Sequence, residues 1–365
     1  MLRAGLIGFP SSGKTALFQL LTSAREAPRP QGRQEANVGV SRVPDERLDK
    51  LTVLFNPKKH VPATVEFADM GGGGASSGAK GSAAALLDVA AFRNADALLH
   101  VVRMFRDPSV PHAAGSIDPQ RDVRTMEDEL ILADLGVVER RLERLERDLK
   151  KGGGADLKKE QDILQRCGEA LEHGKPLRDL DLPAEDMRRL RGFQFLSAKP
   201  LLIVLNLDEA DLPQADRAVE LAGIREFVKG AHTRAVPICA RIELEIAQLD
   251  PADAAAFMAD LGLRESGLDR VIRASYDLLG YISFFTVGED ENRAWSIPRG
   301  TNAQNAAGEI HTDIQRGFIR AEVCRYEDLL KRGSIAGCRD NAELRLEGKE
   351  YIVSDGDVIN FRHAT

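Results

Sequence analysis

The feature that most constrains this chain is Gly8-Phe9-Pro10-Ser11-Ser12-Gly13-Lys14-Thr15, a complete G-x-x-x-x-G-K-[ST] sequence. An apolar run, Leu2–Ile7, precedes it, and a helix-forming stretch from Lys14 to about Thr22 follows. Strand, glycine loop and helix in that order form the context in which the sequence binds phosphate. Backbone N–H groups must converge on an anion, so side chains have to be absent where the backbone bends, hence Gly8 and Gly13. The helix N-terminus turns the positive end of its dipole towards the same point. Lys14 supplies a charge to the β- and γ-phosphates, and Thr15 offers a hydroxyl to Mg²⁺. Phe9, Pro10, Ser11, Ser12 and Ala16 complete the loop's contacts. The implied ligand is ATP or GTP with Mg²⁺.

The rest of the chain is read as an α/β protein. Leu2–Ile7, Ala97–Val102, Leu201–Leu205 and Ala235–Ile238 are nearly all apolar, as expected for buried parallel strands. Thr64–Asp69 alternates more and is expected to be an edge or antiparallel strand. Between 126 and 199 the pattern changes. Val138, Leu142, Leu145 and Leu149 recur at helical steps, Gly152-Gly153-Gly154 breaks the run, and Leu157, Leu164 and Leu171 resume it. This predicts an antiparallel coiled-coil hairpin with Lys150, Lys151, Lys158 and Lys159 around its tip. From Tyr281 onward, Ile282–Val287, Ile319–Val323, Glu343–Leu346 and Tyr351–Val353 predict a small β-rich domain with few helices. The expected domains are 1–125 with 200–280 for the nucleotide, 126–199 for the helical insert, and 281–365.

Composition narrows the function. The net charge of −7 argues against broad nucleic-acid binding by the whole surface, and no sequence-specific DNA reading is expected. The four cysteines, Cys167, Cys239, Cys324 and Cys338, form no C-x-x-C pair, so neither a zinc site nor a disulfide framework is indicated. No apolar run is long enough for a membrane span, and the expected location is cytoplasmic.

Two further elements belong with the phosphate loop. Asp69-Met70-Gly71-Gly72 is a D-x-x-G at a strand end, where Asp69 is placed to hold Mg²⁺ through water. Asn206-Leu207-Asp208-Glu209 follows the strand Leu201–Leu205. A guanine reader would have Asn-Lys-x-Asp there, its carboxylate bridging the guanine N1–H and amine. Leu207 and Glu209 replace the lysine and the aspartate, so guanine preference is expected to weaken. Cys239 and Ala240, just past the strand Ala235–Ile238, complete the nucleotide-binding set.

With these residues in view, the chain resembles the YchF / Obg-like ATPase family of translation-factor-related P-loop proteins. The resemblance runs nearly the full length. It includes Asn37-Val38-Gly39-Val40, Val61-Pro62-Ala63-Thr64-Val65-Glu66-Phe67, His100-Val101-Val102-Arg103 and Asp118-Pro119. In the C-terminal part it rests on Arg293-Ala294-Trp295, on the stretch from Ala306 to Asp313 and on the stretch from Arg316 to Val323. It implies a coiled-coil insert in the nucleotide domain and a C-terminal TGS domain, a ubiquitin-like β-grasp. It also implies ATP preference through an Asn-x-x-Glu element, matched by Asn206 and Glu209, and association with ribosomes or translation factors through the coiled-coil tip and the TGS domain.

The departures concern hydrolysis more than binding, and they suit a divergent paralogue. The family loop reads Pro-Asn-Val-Gly-Lys-Ser-Thr, where this chain has Pro10-Ser11-Ser12-Gly13-Lys14-Thr15-Ala16. The switch-one threonine falls at Arg33, and a glycine-rich run, Gly73 to Gly81, follows the D-x-x-G. No glutamine follows Gly72 to position water. The resemblance assigns that task to His112, on the loop before Asp118-Pro119. Three readings stay open on the sequence: a slow ATPase, a hydrolysis-deficient module that uses nucleotide for binding, and a GTPase.

Overall fold

The computed structural model describes residues 2–22, 37–69 and 92–364. Gly72, Arg33 and the glycine-rich run lie outside them. The described residues form two compact units, Leu2–Val40 with Glu66–Leu278, and Ser41–Val65 with Leu279–Thr365. Residues 41–65, expected with the nucleotide domain, therefore group with the C-terminal part.

One six-stranded sheet contains β1 (Arg3–Ile7), β2 (Asn37–Arg42), β4 (Thr64–Asp69), β5 (Ala97–Arg103), β6 (Leu201–Asn206) and β7 (Thr233–Ile238), in the order β2-β4-β1-β5-β6-β7. The pairs β1–β4, β1–β5, β5–β6 and β6–β7 are parallel. Every residue of β5 and β6 is buried, which is why their sequences read as nearly continuous apolar runs, broken only by His100, Arg103 and Asn206. Thr64–Asp69 is not an edge or antiparallel strand. It lies inside the sheet, parallel to β1. After β1 the chain builds β2 and β4 on one side of it and then β5 on the other. The crevice at the carboxyl ends of β1 and β5 is thus a switch point, where open α/β sheets bind ligands.

The helices of this unit are α1 (Lys14–Thr22), α3 (Pro119–Lys150), α4 (Ala155–Glu172), α5 (Ala184–Leu190), α6 (Ala218–Leu221), α7 (Ala240–Ile246), α8 (Pro251–Asp260) and α9 (Gly267–Leu278), with α2 (Glu46–Phe55) in the other unit. Helix α3 starts seven residues before the expected insert boundary. Asp118 caps it by accepting from the Arg121 N–H, and Pro119 opens it. Its first turns bring Val123, Met126 and Leu130 into the sheet core beside Ile7, Leu98 and Leu205. Its later turns form a hairpin with α4, in which Val138 and Leu145 pack with Leu164, Cys167 and Leu171. At the hairpin turn Lys150 and Lys151 are exposed. Lys158 bonds Gln161 on α4, and Lys159 bonds Glu185 on α5 at 2.7 Å, so part of the expected basic tip is already engaged.

Polar residues fix the base of the hairpin. Asp134, fully buried, accepts from the Leu196 and Ser197 N–H groups. Arg178, also buried, bonds Glu127, Thr233 Oγ1 and the Ser197 carbonyl. Burial pushes the Glu127 carboxyl above its ordinary range while the Arg178 charge pulls it down.

The second sheet is mixed: β3 (Lys59–Val61), β8 (Tyr281–Thr286), β9 (Glu291–Pro298), β10 (Phe318–Arg325), β11 (Arg345–Glu347) and β12 (Asp357–His363), in the order β11-β10-β12-β8-β9-β3. Strand β3 pairs parallel with β9, which is what draws residues 41–65 into this unit. Tyr351–Val353 is no strand, and forms only a bridge from Ile352 to Asn302. The unit also holds more helix than expected: α10 (Ala303–Ile310), α11 (Thr312–Arg316), α12 (Tyr326–Arg332) and α13 (Ile335–Asp340). At five to eight residues these are too short to show a clear period.

Removing one member of a buried ion pair leaves an uncompensated charge. Arg178→Ala is therefore expected to destabilise the protein by about 3–5 kcal/mol, read as a fall in the urea midpoint followed by circular dichroism. An unchanged midpoint would show that the pair does not anchor the hairpin.

Candidate functional site

The loop from Gly8 to Gly13 leaves the carboxyl end of β1 and enters α1 at Lys14. Its two glycines are required by close approach as well as by conformation. Gly8 has φ +147°, and a Cβ there would lie 2.5 Å from the Val101 carbonyl oxygen on β5. Gly13 has φ +99°, and a Cβ there would lie 2.2 Å from Asn206 Nδ2. Ser11 sits left-handed at φ 61°. Lys14 Nζ donates to the Gly8 and Phe9 carbonyls at 2.8 and 2.7 Å, folding its side chain back along its own loop. Burial lowers the Lys14 pKa, and the Asp69 carboxylate opposes that shift. Asp69 ends β4 and is 4% exposed, whereas Thr15 opens α1 on the exposed side.

Asn206 ties this loop to its surroundings. Its Nδ2 donates to the Ser12 carbonyl at 3.0 Å, and its Oδ1 accepts from the Ala240 N–H at 3.1 Å. Its own carbonyl accepts from the Met104 and Phe105 N–H groups. One buried residue thus joins the phosphate loop, the segment after β5 and the segment after β7. Asn206 does more than cap its strand.

The remaining expected residues fall in different places. Glu209 is exposed, at the start of a 3-10 segment, Glu209–Arg217. Leu207 is 3% exposed and packs in the core with Leu205, Ala218 and Ile224. Cys239 is buried against Leu212 and Ile242, and burial raises its thiol pKa; Ala240 contributes its N–H to Asn206. His112 does not stand free. Its Nε2 lies 3.0 Å from Asp122 Oδ2, and its Nδ1 accepts from the Ala114 N–H.

Sequence reasoning passed over two neighbours. His100 on β5 is buried, and neither ring nitrogen has a partner among the described residues. Burial, aided by the Lys14 charge, pushes its pKa down to about 3, so a neutral imidazole lies beneath the loop. Arg103, also buried, donates to the Phe105 and Asp107 carbonyls and stacks on the Phe105 ring, shaping the turn that Asn206 then pins. The run His100-Val101-Val102-Arg103 was visible in the sequence, but only the fold shows that both of its polar ends are buried, on a strand that pairs with β1.

The fold and this loop define a P-loop nucleotide-binding α/β protein. Residues 281–364 match the family model YchF-GTPase_C, described as a protein of unknown function (DUF933). The chain is 43% identical to the "Ribosome-binding ATPase YchF" of Bacillus subtilis (strain 168), with 99% of each covered. It is 40% identical to the protein of that name from Escherichia coli O157:H7, with 98% of each covered. The solved structure of the Schizosaccharomyces pombe YchF GTPase superposes with a TM-score of 0.83 at 30% identity, covering 99% of this chain and 97% of that one. The chain belongs to the YchF family.

Lys14→Ala removes the one cation of the phosphate loop while leaving the core intact. Calorimetry is expected to detect no ATP binding by this variant under conditions that saturate the wild type. Equal affinity in the two proteins would overturn the phosphate-loop assignment.

Proposed function

We propose that this protein binds ATP in preference to GTP, hydrolyses it slowly and associates with ribosomes or translation factors. The observation that carries the reading is the union of a complete phosphate loop with Asn206, the first residue of an Asn-x-x-Glu element, in one bonded site. The names of the relatives support the ribosome. Thr15 and Asp69 are the residues that would hold Mg²⁺. One hydroxyl and one carboxyl group suit an ion that takes most of its remaining ligands from phosphate and water, and the Asp69 side chain lies close enough to Lys14 to interact with its charge. Bound there, Mg²⁺ would neutralise charge developing on the phosphates.

In this reading the α3–α4 hairpin is the coiled-coil insert, with Lys150 and Lys151 free at its tip for phosphate contact. The C-terminal unit is the TGS β-grasp domain, a second contact. His112 positions the attacking water in place of a glutamine. Described helices include none long and apolar enough to cross a membrane, in keeping with a cytoplasmic protein. A binding module with little hydrolysis is the second reading, favoured by the engagement of both His112 ring nitrogens.

Competition of labelled ATP by unlabelled ATP and GTP tests the base preference. Guanine presents two donors to a suitably placed carboxylate, and a lost bridge of that kind costs about 1–3 kcal/mol, roughly tenfold to a hundredfold in affinity. Wild type is expected to bind ATP at least as well as GTP, and Glu209→Asp to shift the ratio towards GTP. Because Leu207 is buried, the shift should be sought at position 209 alone. A wild-type preference for GTP above tenfold would replace this reading with a GTPase.

A further inference from the structure

The loop joining β5 to α3 carries a closed set of polar contacts centred on Asp122. Asp122 lies in the first turn of α3 and is 2% exposed. Its Oδ1 accepts from Arg121 Nε and Nη2 at 3.0 and 2.8 Å, and its Oδ2 faces His112 Nε2 at 3.0 Å. Arg121 reaches back to the Ser116 hydroxyl and carbonyl, and the Arg121 N–H bonds Asp118. His112 is held from its other side by the Ala114 N–H. A nitrogen 3.0 Å from a carboxylate oxygen must carry a proton, because two lone pairs would repel at that distance. Nδ1, which accepts, carries none. The tautomer is therefore fixed with the proton on Nε2, and both nitrogens are used.

A side chain that is 5% exposed, with both nitrogens occupied, cannot also touch an attacking water. We propose that Asp122 is a positioning residue that latches His112 out of use, and that hydrolysis requires His112 to leave Asp122. This rests on the reading of His112 as the water-positioning residue. The latch is local and reversible. Asp122 keeps Arg121 as a partner when His112 departs, so no buried carboxylate is stranded. The segment that would move contains Gly115, at φ +80° with nothing within 4 Å of a Cβ position, a point where the backbone can pivot. The slow turnover then has a physical source: the protein holds its own water-positioning group in a stable pair. A partner that separates the two would accelerate hydrolysis without adding a catalytic group of its own.

The test is single-turnover ATP hydrolysis by the full chain with Mg²⁺, on wild type, His112→Ala, Asp122→Asn and the double variant. Asp122→Asn keeps the shape and the acceptor for Arg121 but removes the charge that holds His112. It is expected to raise the rate about fivefold, the effect of weakening one charge-assisted contact, with ATP affinity within about twofold of wild type. His112→Ala is expected to lower the rate, and adding Asp122→Asn to it to change nothing further. If His112→Ala alone leaves the rate unchanged, the reading of His112 fails. If His112→Ala lowers the rate but Asp122→Asn lowers it or leaves it unchanged, the latch fails and the role of His112 stands. Should Asp122→Asn not fold, nitrogen NMR of the wild-type His112 ring decides. A protonated Nε2 in the free protein that changes environment with a non-hydrolysable ATP analogue supports the latch, and an unchanged ring contradicts it.

Discussion

The nucleotide site depends on the side chain and carbonyl of Asn206. Three loops end near one point: the phosphate loop after β1, the turn after β5 and the turn after β7. Asn206 bonds all three, through Ser12, through Met104 and Phe105, and through Ala240. A buried amide of this kind is stable only when its donor and acceptor are both satisfied, and then it specifies one arrangement. It also explains why position 13 has to be glycine, since Asn206 Nδ2 occupies the space a Cβ would need. Phosphate recognition and the positioning of the 206–209 segment are therefore one structural fact. Lys14, folded onto the Gly8 and Phe9 carbonyls, holds the loop in shape.

Two departures from the family's loop acquire a physical meaning. The family pattern has asparagine where this chain has Ser11, and that residue is left-handed, a conformation asparagine tolerates better. It has valine where this chain has Ser12, which is 2% exposed with a hydroxyl that lacks a partner among the described residues. The left-handed Ser11 leaves more of the loop's shape to the bonds of Asn206 and Lys14.

Sequence reading was strongest where function is encoded locally. The strand, glycine loop and helix are contiguous, so Gly8, Gly13, Lys14 and Thr15 could be assigned without tertiary information. The buried strands β5 and β6 announced themselves by composition. The misreadings arose where tertiary contacts decide. Thr64–Asp69 looked like an edge strand because Glu66 interrupts its apolar run, yet Glu66 pairs with Arg3 on β1 and the strand is internal. Lys59–Val61 joined the second sheet through pairing with β9, more than 200 residues away. Leu207 stands where a guanine reader has lysine, and its aliphatic side chain continues the core of β6. His112 could be singled out from the resemblance, whereas nothing in the sequence marks Asp122 as its partner, because the contact depends on how the loop before α3 folds back.

Asn206 is the tie between the three loops, and amide hydrogen exchange of ligand-free wild type and Asn206→Ala measures that tie most directly. If the tie holds the site, peptides spanning 8–15 and 239–246 lose protection together in the variant while those covering the centres of β5 and β6 are unchanged. If the Ala240 amide alone exchanges faster and the phosphate loop keeps its protection, the loop is held by its own contacts and the central claim is wrong.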